Sequence, residues 1–165
     1  MATDTADRGP YHILLVEDNP GDVELTKEII EESDHDASVV VVGDGEPAML
    51  YLRQEGEYAR APRPDLILLD LNLPMKDGLE VLKEMAADES LSTIPVMILT
   101  GTEAEESLLE SYNIPVSRFS RKPIELSRFN DVVSWLDNPA AHRPIVAPPP
   151  PPPAPEAKKK WWWPF

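Results

Sequence analysis

Apolar residues gather in short runs, separated by stretches where they recur every three or four positions. The strong runs are Ile13–Val16, Val39–Val42, Leu66–Leu69 and Val96–Leu99, with a weaker fifth over Val116–Phe119. The strong runs lack the polar alternation of a strand with one wet face, so each reads as a parallel strand covered on both faces. Between them the spacing is helical. Asn19 can cap a first helix, Pro20 sits where its missing N–H costs nothing, and Val23, Thr26, Ile29 and Ile30 give that helix an apolar face. Gly43-Asp44-Gly45 turns the chain into a second helix carrying Ala48, Met49, Leu50 and Leu52, expected to end near Gly56. Pro62 and Pro64 punctuate the loop before the third strand. Asp77-Gly78 opens a third helix with Leu79, Val81, Leu82 and Met85, Pro95 stands at the entry of the fourth strand, a fourth helix runs from about Glu103 to Tyr112, and Ser127 to Asp137 makes the last. Strands alternating with helices five times predict an α/β fold: a doubly wound, five-stranded parallel sheet with right-handed crossovers and helices on both faces.

Such sheets bind ligands beyond the carboxyl ends of their strands. There the sequence places Glu17 and Asp18 after the first strand, Asp70 with Asn72 and Pro74 after the third, Thr100 after the fourth and Lys122 after the fifth. Three carboxylates brought together repel one another unless a hard divalent cation sits among them. Mg²⁺ suits two carboxylates and a backbone carbonyl, because it keeps waters and accepts a phosphate oxygen. An ammonium and a hydroxyl beside that cation complete a phosphate site, which is nearly all that phosphoryl transfer asks of a protein. A carboxylate nucleophile would form an acyl phosphate. His12, His35 and His142 have no metal-ligand spacing with one another.

Composition narrows the partners. The 165 residues suffice for one domain and a tail, and the formal net charge of −15 argues against nucleic acid or an anionic membrane as partner of the folded part. Cysteine is absent, the N-terminus is acidic where a signal peptide is basic, and no stretch is long and apolar enough to span a bilayer, so a cytoplasmic protein is expected. The expected divisions are a flexible N-terminus over 1–10, a folded domain over 11–138 and a Pro-rich tail over 139–165. Pro148 to Pro155 forms a semi-rigid spacer of roughly 25 Å at about 3.1 Å per residue. Residues 156–165 then carry three lysines against one glutamate, a charge of +2 that leaves the rest of the chain at −17. They end in Trp161, Trp162, Trp163, Pro164 and Phe165. Aromatics of this kind find partners, and docking to a protein is the first expectation. An interfacial membrane contact is the second, and an unstructured or vector-derived end the third.

Val16-Glu17-Asp18-Asn19, Asp65 through Pro74 with Gly78, Leu99-Thr100-Gly101 and Lys122-Pro123 stand in an order and spacing that resemble the receiver domains of two-component response regulators, over roughly residues 11 to 137. Asn19-Pro20-Gly21-Asp22, Asp44-Gly45-Glu46 and Ser111-Tyr112-Asn113 look like the single-domain regulators associated with bacterial phytochromes. The resemblance implies a flavodoxin-like receiver in which Asp70 accepts a phosphoryl group from a histidine kinase or phosphotransfer protein, which a phytochrome kinase could be. Asp18 and Asp70 would bind Mg²⁺ directly, Asn72 through its backbone carbonyl, and Glu17 mostly through water. Lys122 would hold the phosphoryl oxygen, Thr100 would draw its loop toward the phosphoryl, and Phe119 would turn inward to fill the vacated space. The Lys122-Pro123 bond would be cis. The fourth helix, fifth strand and last helix would form the face that binds a downstream protein, and the face after the fourth helix would support a homodimer. Phe119 replaces the commoner tyrosine, which leaves a packing change without a hydroxyl to report it.

The result is an expected phosphorylation switch with protein binding as output, not a turnover enzyme. Two rivals stand beside it. An aspartyl-phosphate phosphohydrolase would need an acid two residues past the nucleophile, where this chain has Asn72. An adaptor would act through the tryptophan tail alone, docking a chemosensory or other signalling partner with phosphorylation secondary. Glu103, Glu105, Glu106 and Glu110 read as a solvated helix face able to tune partner choice.

Overall fold

The computed structural model describes residues 10–112, 114 and 118–137. Its elements alternate as β1 (Tyr11–Val16), α1 (Pro20–Glu32), β2 (Ala37–Val42), α2 (Gly45–Arg53), β3 (Leu66–Asp70), α3 (Gly78–Ala87), β4 (Val96–Thr100), α4 (Glu103–Ser111), β5 (Phe119–Arg121) and α5 (Leu126–Asp137), with a short 3-10 turn over Gly56–Tyr58. The strands lie in the order β2-β1-β3-β4-β5, every neighbouring pair parallel. This is the doubly wound sheet that the sequence predicts.

β3 and β4 are buried from end to end because alternate residues serve two separate cores. Ile67 and Leu69 join Leu14, Val16 and Ile98 beneath Met49 of α2 and Val81, Leu82 and Met85 of α3. Leu66 and Leu68 join Ile13, Leu15, Met97 and Leu99 against Ile30 of α1 and Phe129, Val132 and Val133 of α5. Each buried leucine or isoleucine contributes about 2 kcal/mol by leaving water. Local chemistry agrees with the packing at the helix starts: Asn19 accepts from the Asp22 N–H at 3.1 Å, and Asp77 accepts from the Glu80 N–H at 2.9 Å.

Three details differ from the expectation. The fifth strand covers Phe119–Arg121, not Val116–Phe119; residues 116 and 117 lie outside the described part. An edge strand that pairs through its backbone, with Leu99 level with Ser120 and Thr100 with Arg121, needs no apolar run to mark it. Leu50 is not on the core face of α2: it is 40% exposed while Tyr51 is buried, since Ala48, Met49, Tyr51 and Leu52 make up one face and position 50 points away from it. That helix also stops earlier than Gly56, at Gln54, whose left-handed φ of 55° ends it.

Register brings the strand ends together. Val16 is level with Leu69, and Asp70 with Leu99, so Glu17, Asp70, Thr100 and Lys122 emerge along one edge. Gly78 lets α3 approach that edge: a Cβ there would lie 2.7 Å from the Asp70 carbonyl oxygen. Residues 1–9 and 138–165, with Trp161, Trp162, Trp163 and Phe165, lie outside the described residues.

Candidate functional site

Two of the three carboxylates at this edge are almost wholly withdrawn from water. Glu17 and Asp70 are each 2% exposed, whereas Asp18 lies at the surface. One oxygen from each of the three comes within 4.8 Å of the others, a hard-donor cluster of the size a divalent cation occupies. Backbone amides fix their orientation. Glu17 Oε1 accepts from the Asn19 N–H at 3.1 Å, and Asp70 Oδ1 accepts from the Asn72 N–H at 3.2 Å. The Asn72 side chain itself is exposed.

Lys122 answers the negative charge. Its Nζ lies 3.3 Å from Asp70 Oδ2, 3.2 Å from Glu17 Oε2 and 3.1 Å from Asp22 Oδ2. The Lys122-Pro123 bond is cis, as expected, and the Lys122 N–H donates to the Thr100 carbonyl at 2.8 Å, locking the end of β5 onto β4. Burial, above all, and then the charge of Asp70 push the Glu17 carboxyl up to about 7, against the Asn19 amide and Lys122 that pull it down. Burial likewise raises Asp70, opposed by the Asn72 amide and by Lys122. Burial works against the Lys122 ammonium, yet the carboxylates of Asp22, Asp70 and Glu17 together raise it above the usual lysine range. Two buried acids with raised pKa values and one ammonium do not neutralise one another. A site of oxygen donors whose charge is undercompensated fits a divalent cation, which would replace the proton that burial favours on Glu17.

Thr100 is fully buried, and its hydroxyl is 3.3 Å from Glu106 Oε1 and 3.4 Å from the Ser120 carbonyl. Glu106 in turn accepts from Arg121 through Nε at 3.1 Å and Nη2 at 3.0 Å, which holds its carboxyl below the usual range. Phe119 is buried in the core under α2, α3 and α4, and its carbonyl accepts from Arg128 Nη2 at 2.9 Å.

The sequence-predicted residues Glu17, Asp18, Asp70, Thr100 and Lys122 therefore meet at one edge, with Asn72 beside them. Three further residues belong to the same neighbourhood. Asp22 contacts Lys122; its signal is the Asn19-Pro20-Gly21-Asp22 start of α1, which puts Asp22 in the first turn with its N–H capped by Asn19. Glu105 and Glu106 were expected on a solvated face. They are half-buried and turned toward the β4–α4 loop, while Glu103 and Glu110 are exposed as expected. Asp44 shows a related device on the β3–α3 loop. It does not cap α2; its Oδ1 accepts from the N–H groups of Met75 and Lys76 at 3.2 and 3.1 Å, pinning the β3–α3 loop. Lys76 completes the clamp with Glu84 at 2.8 Å and Glu46 at 3.4 Å.

Comparison with known proteins gives one answer. A family model described as the response regulator receiver domain matches residues 13–134. Response regulator Rcp1 of Synechocystis sp. is 41% identical over 129 residues, covering 78% of this chain and 88% of that protein. Its Mn²⁺-bound crystal structure covers 84% of this chain and 100% of that one, at 40% identity and a TM-score of 0.63. The phosphorylated cyanobacterial phytochrome response regulator RcpA is similar at 45% identity and a TM-score of 0.66, over 83% of this chain and 100% of its own. The bacteriophytochrome response regulator AtBRR is similar at 38% identity and a TM-score of 0.71, over 84% and 99%.

Proposed function

The chain belongs to the response regulator receiver domain family of two-component signalling, and from that membership we propose that it is a Mg²⁺-dependent phosphorylation switch with Asp70 as the phosphoryl acceptor. The single observation that carries the reading is the meeting of Asp70, Lys122 and the Glu17–Asp18 pair at one strand edge, with two of the acids buried.

In this proposal an Asp70 carboxylate oxygen attacks the phosphorus of a phosphohistidine on a histidine kinase or phosphotransfer protein. A P–O bond forms, the P–N bond breaks, and the electron pair leaves with the imidazole, so the product is an acyl phosphate on Asp70. Asp18, Asp70 and the Asn72 carbonyl would hold Mg²⁺, with Glu17 contributing through water. The ion, when bound, neutralises charge on the phosphoryl oxygens. Lys122 exchanges its contact with Asp70 for a phosphoryl oxygen, and Thr100 hydrogen-bonds to the phosphoryl group. The resemblance to phytochrome-associated regulators makes a phytochrome kinase a reasonable donor.

The output is protein binding, not substrate turnover. A groove of about 570 Å³ along β5, lined by Glu106, Phe119, Arg121, Pro123 and Arg128, supports the α4–β5–α5 face as the place where a downstream protein or a second copy docks. Phe119 at its floor would carry the packing change. We assign residues 11–138 to the receiver domain and 139–165 to a tail whose Trp161–Trp163 and Phe165 tether the protein to a partner. Among the described residues no helix is long and apolar enough to cross a membrane, which accords with action in the cytoplasm.

Incubation with acetyl phosphate and Mg²⁺ tests the reading. Intact mass should rise by one phosphoryl group, and chelation of the metal or Asp70→Asn should abolish the gain. An unchanged wild-type mass would sink the proposal.

A further inference from the structure

Two hydrogen-bond donors stand at the start of the β4–α4 loop, the Thr100 hydroxyl and the Gly101 amide. Gly101 is against the site: a Cβ on it would be 4.0 Å from Lys122 Cε and 3.6 Å from Glu105 Oε2. Both donors are already taken, by consecutive residues of the first turns of α4. The Gly101 N–H donates to Glu105 Oε2, which also accepts from the Thr102 N–H at 3.3 Å. The Thr100 hydroxyl is shared between Glu106 Oε1 at 3.3 Å and the Ser120 carbonyl of β5 at 3.4 Å, so Glu106 holds it together with the strand edge.

Each glutamate is held in place by something else. Glu105 belongs to a capping box in which its own N–H donates to Thr102 Oγ1 at 3.2 Å. Glu106 is gripped by the fork of Arg121, the residue beside Lys122, with Glu103 only at the margin of that contact at 4.0 Å. A carboxylate oxygen and a phosphoryl oxygen are the same kind of acceptor, so at these two donors they compete. The ties also run to β5 through Arg121, so release of Thr100 and movement of that strand are linked.

We infer that Glu105 and Glu106 are positioning residues that hold the Gly101 N–H and the Thr100 O–H away from the phosphoryl site, and that they yield both donors when Asp70 is phosphorylated. The inference rests on the reading of Asp70 as acceptor. Its consequence is that the two carboxylates favour the unphosphorylated loop, and removing either makes phosphorylation easier.

The test compares the full chain with Glu105→Ala, Glu106→Ala and Glu103→Ala. Glu103→Ala takes a carboxylate from the same turn without releasing either donor. The rate of phosphorylation by acetyl phosphate at saturating Mg²⁺ should rise about three- to tenfold in Glu105→Ala and in Glu106→Ala, and stay at the wild-type value in Glu103→Ala. Unchanged rates in the first two variants, or an equal rise in all three, would overturn the inference. The Gly101 amide resonance of the unphosphorylated protein gives a second readout. It should shift and exchange faster with water in Glu105→Ala but not in Glu103→Ala; identical behaviour in both would also overturn it. Failure of the wild type to take up a phosphoryl group would instead sink the reading of Asp70, while the resonance still decides whether Glu105 holds Gly101.

Discussion

Leu66–Leu69 and Asp70 are consecutive on one strand, all but wholly hidden from water, and they obey opposite rules. The leucines and isoleucine are stabilised by the burial itself, since every atom removed from water is apolar and finds neighbours on both faces of the sheet. Asp70 and Glu17 are penalised by burial, and Lys122 only partly compensates, because it is divided among three carboxylates. The first region holds the fold together. The second is held in an unfavourable state by the first, so that a cation and a phosphoryl group find charge waiting for them. Substitutions in the two regions should therefore move stability in opposite directions.

The largest effect belongs to the core. Leu68→Ala removes a fully buried side chain and should destabilise the domain by about 2–5 kcal/mol in urea denaturation, while the folded fraction still takes up phosphoryl. Gly78→Ala sharpens the boundary between the regions, because its Cβ would press on the Asp70 carbonyl and Leu71 Cα. It should cost about 1–3 kcal/mol and slow phosphorylation as well, the one change expected to harm both.

Asp70→Asn should do the reverse of Leu68→Ala. It removes a buried charge that burial disfavours and should raise the urea midpoint of the metal-free protein while abolishing phosphorylation. A destabilised Asp70→Asn would break the comparison, since Asp70 would then be a structural acid with a satisfied ion pair.

A further effect is a dependence on pH. Glu17 has a carboxyl at about 7 in the fold against an ordinary 4.5, so the folded protein binds the extra proton between those values. The stability this contributes is complete below the lower value and is lost as pH rises through the upper one. In metal-free protein, the stability of Glu17→Gln relative to wild type should thus grow from about pH 5 to about pH 8, and saturating Mg²⁺ should shrink the difference.

Legibility in the sequence follows the same division. Leu66–Leu69 shows as a buried strand because both of its faces are covered, and a residue needed on both faces has no polar alternation. Glu17, Asp18, Asp70, Thr100 and Lys122 could be gathered to one edge without coordinates, since strand order and parallel direction alone put their ends together. The fifth strand lies beyond the apolar run that points to it, because Ser120 and Arg121 are held by backbone pairing to Leu99 and Thr100, which leaves no apolar trace. Asp22, Glu105 and Glu106 escaped for a related reason. Their roles depend on which way the first turns of α1 and α4 lean over the sheet edge, and a charged residue on a helix looks the same whether it meets water or Lys122, Gly101 and Thr100.

Chemical trapping of the acyl phosphate tests the central claim most directly. Borohydride reduces an aspartyl phosphate to homoserine, so protein treated with acetyl phosphate and Mg²⁺, reduced and digested, should carry a homoserine at position 70 and nowhere else. Homoserine at another aspartate, or unmodified Asp70 in protein that has gained a phosphoryl group, would contradict the account.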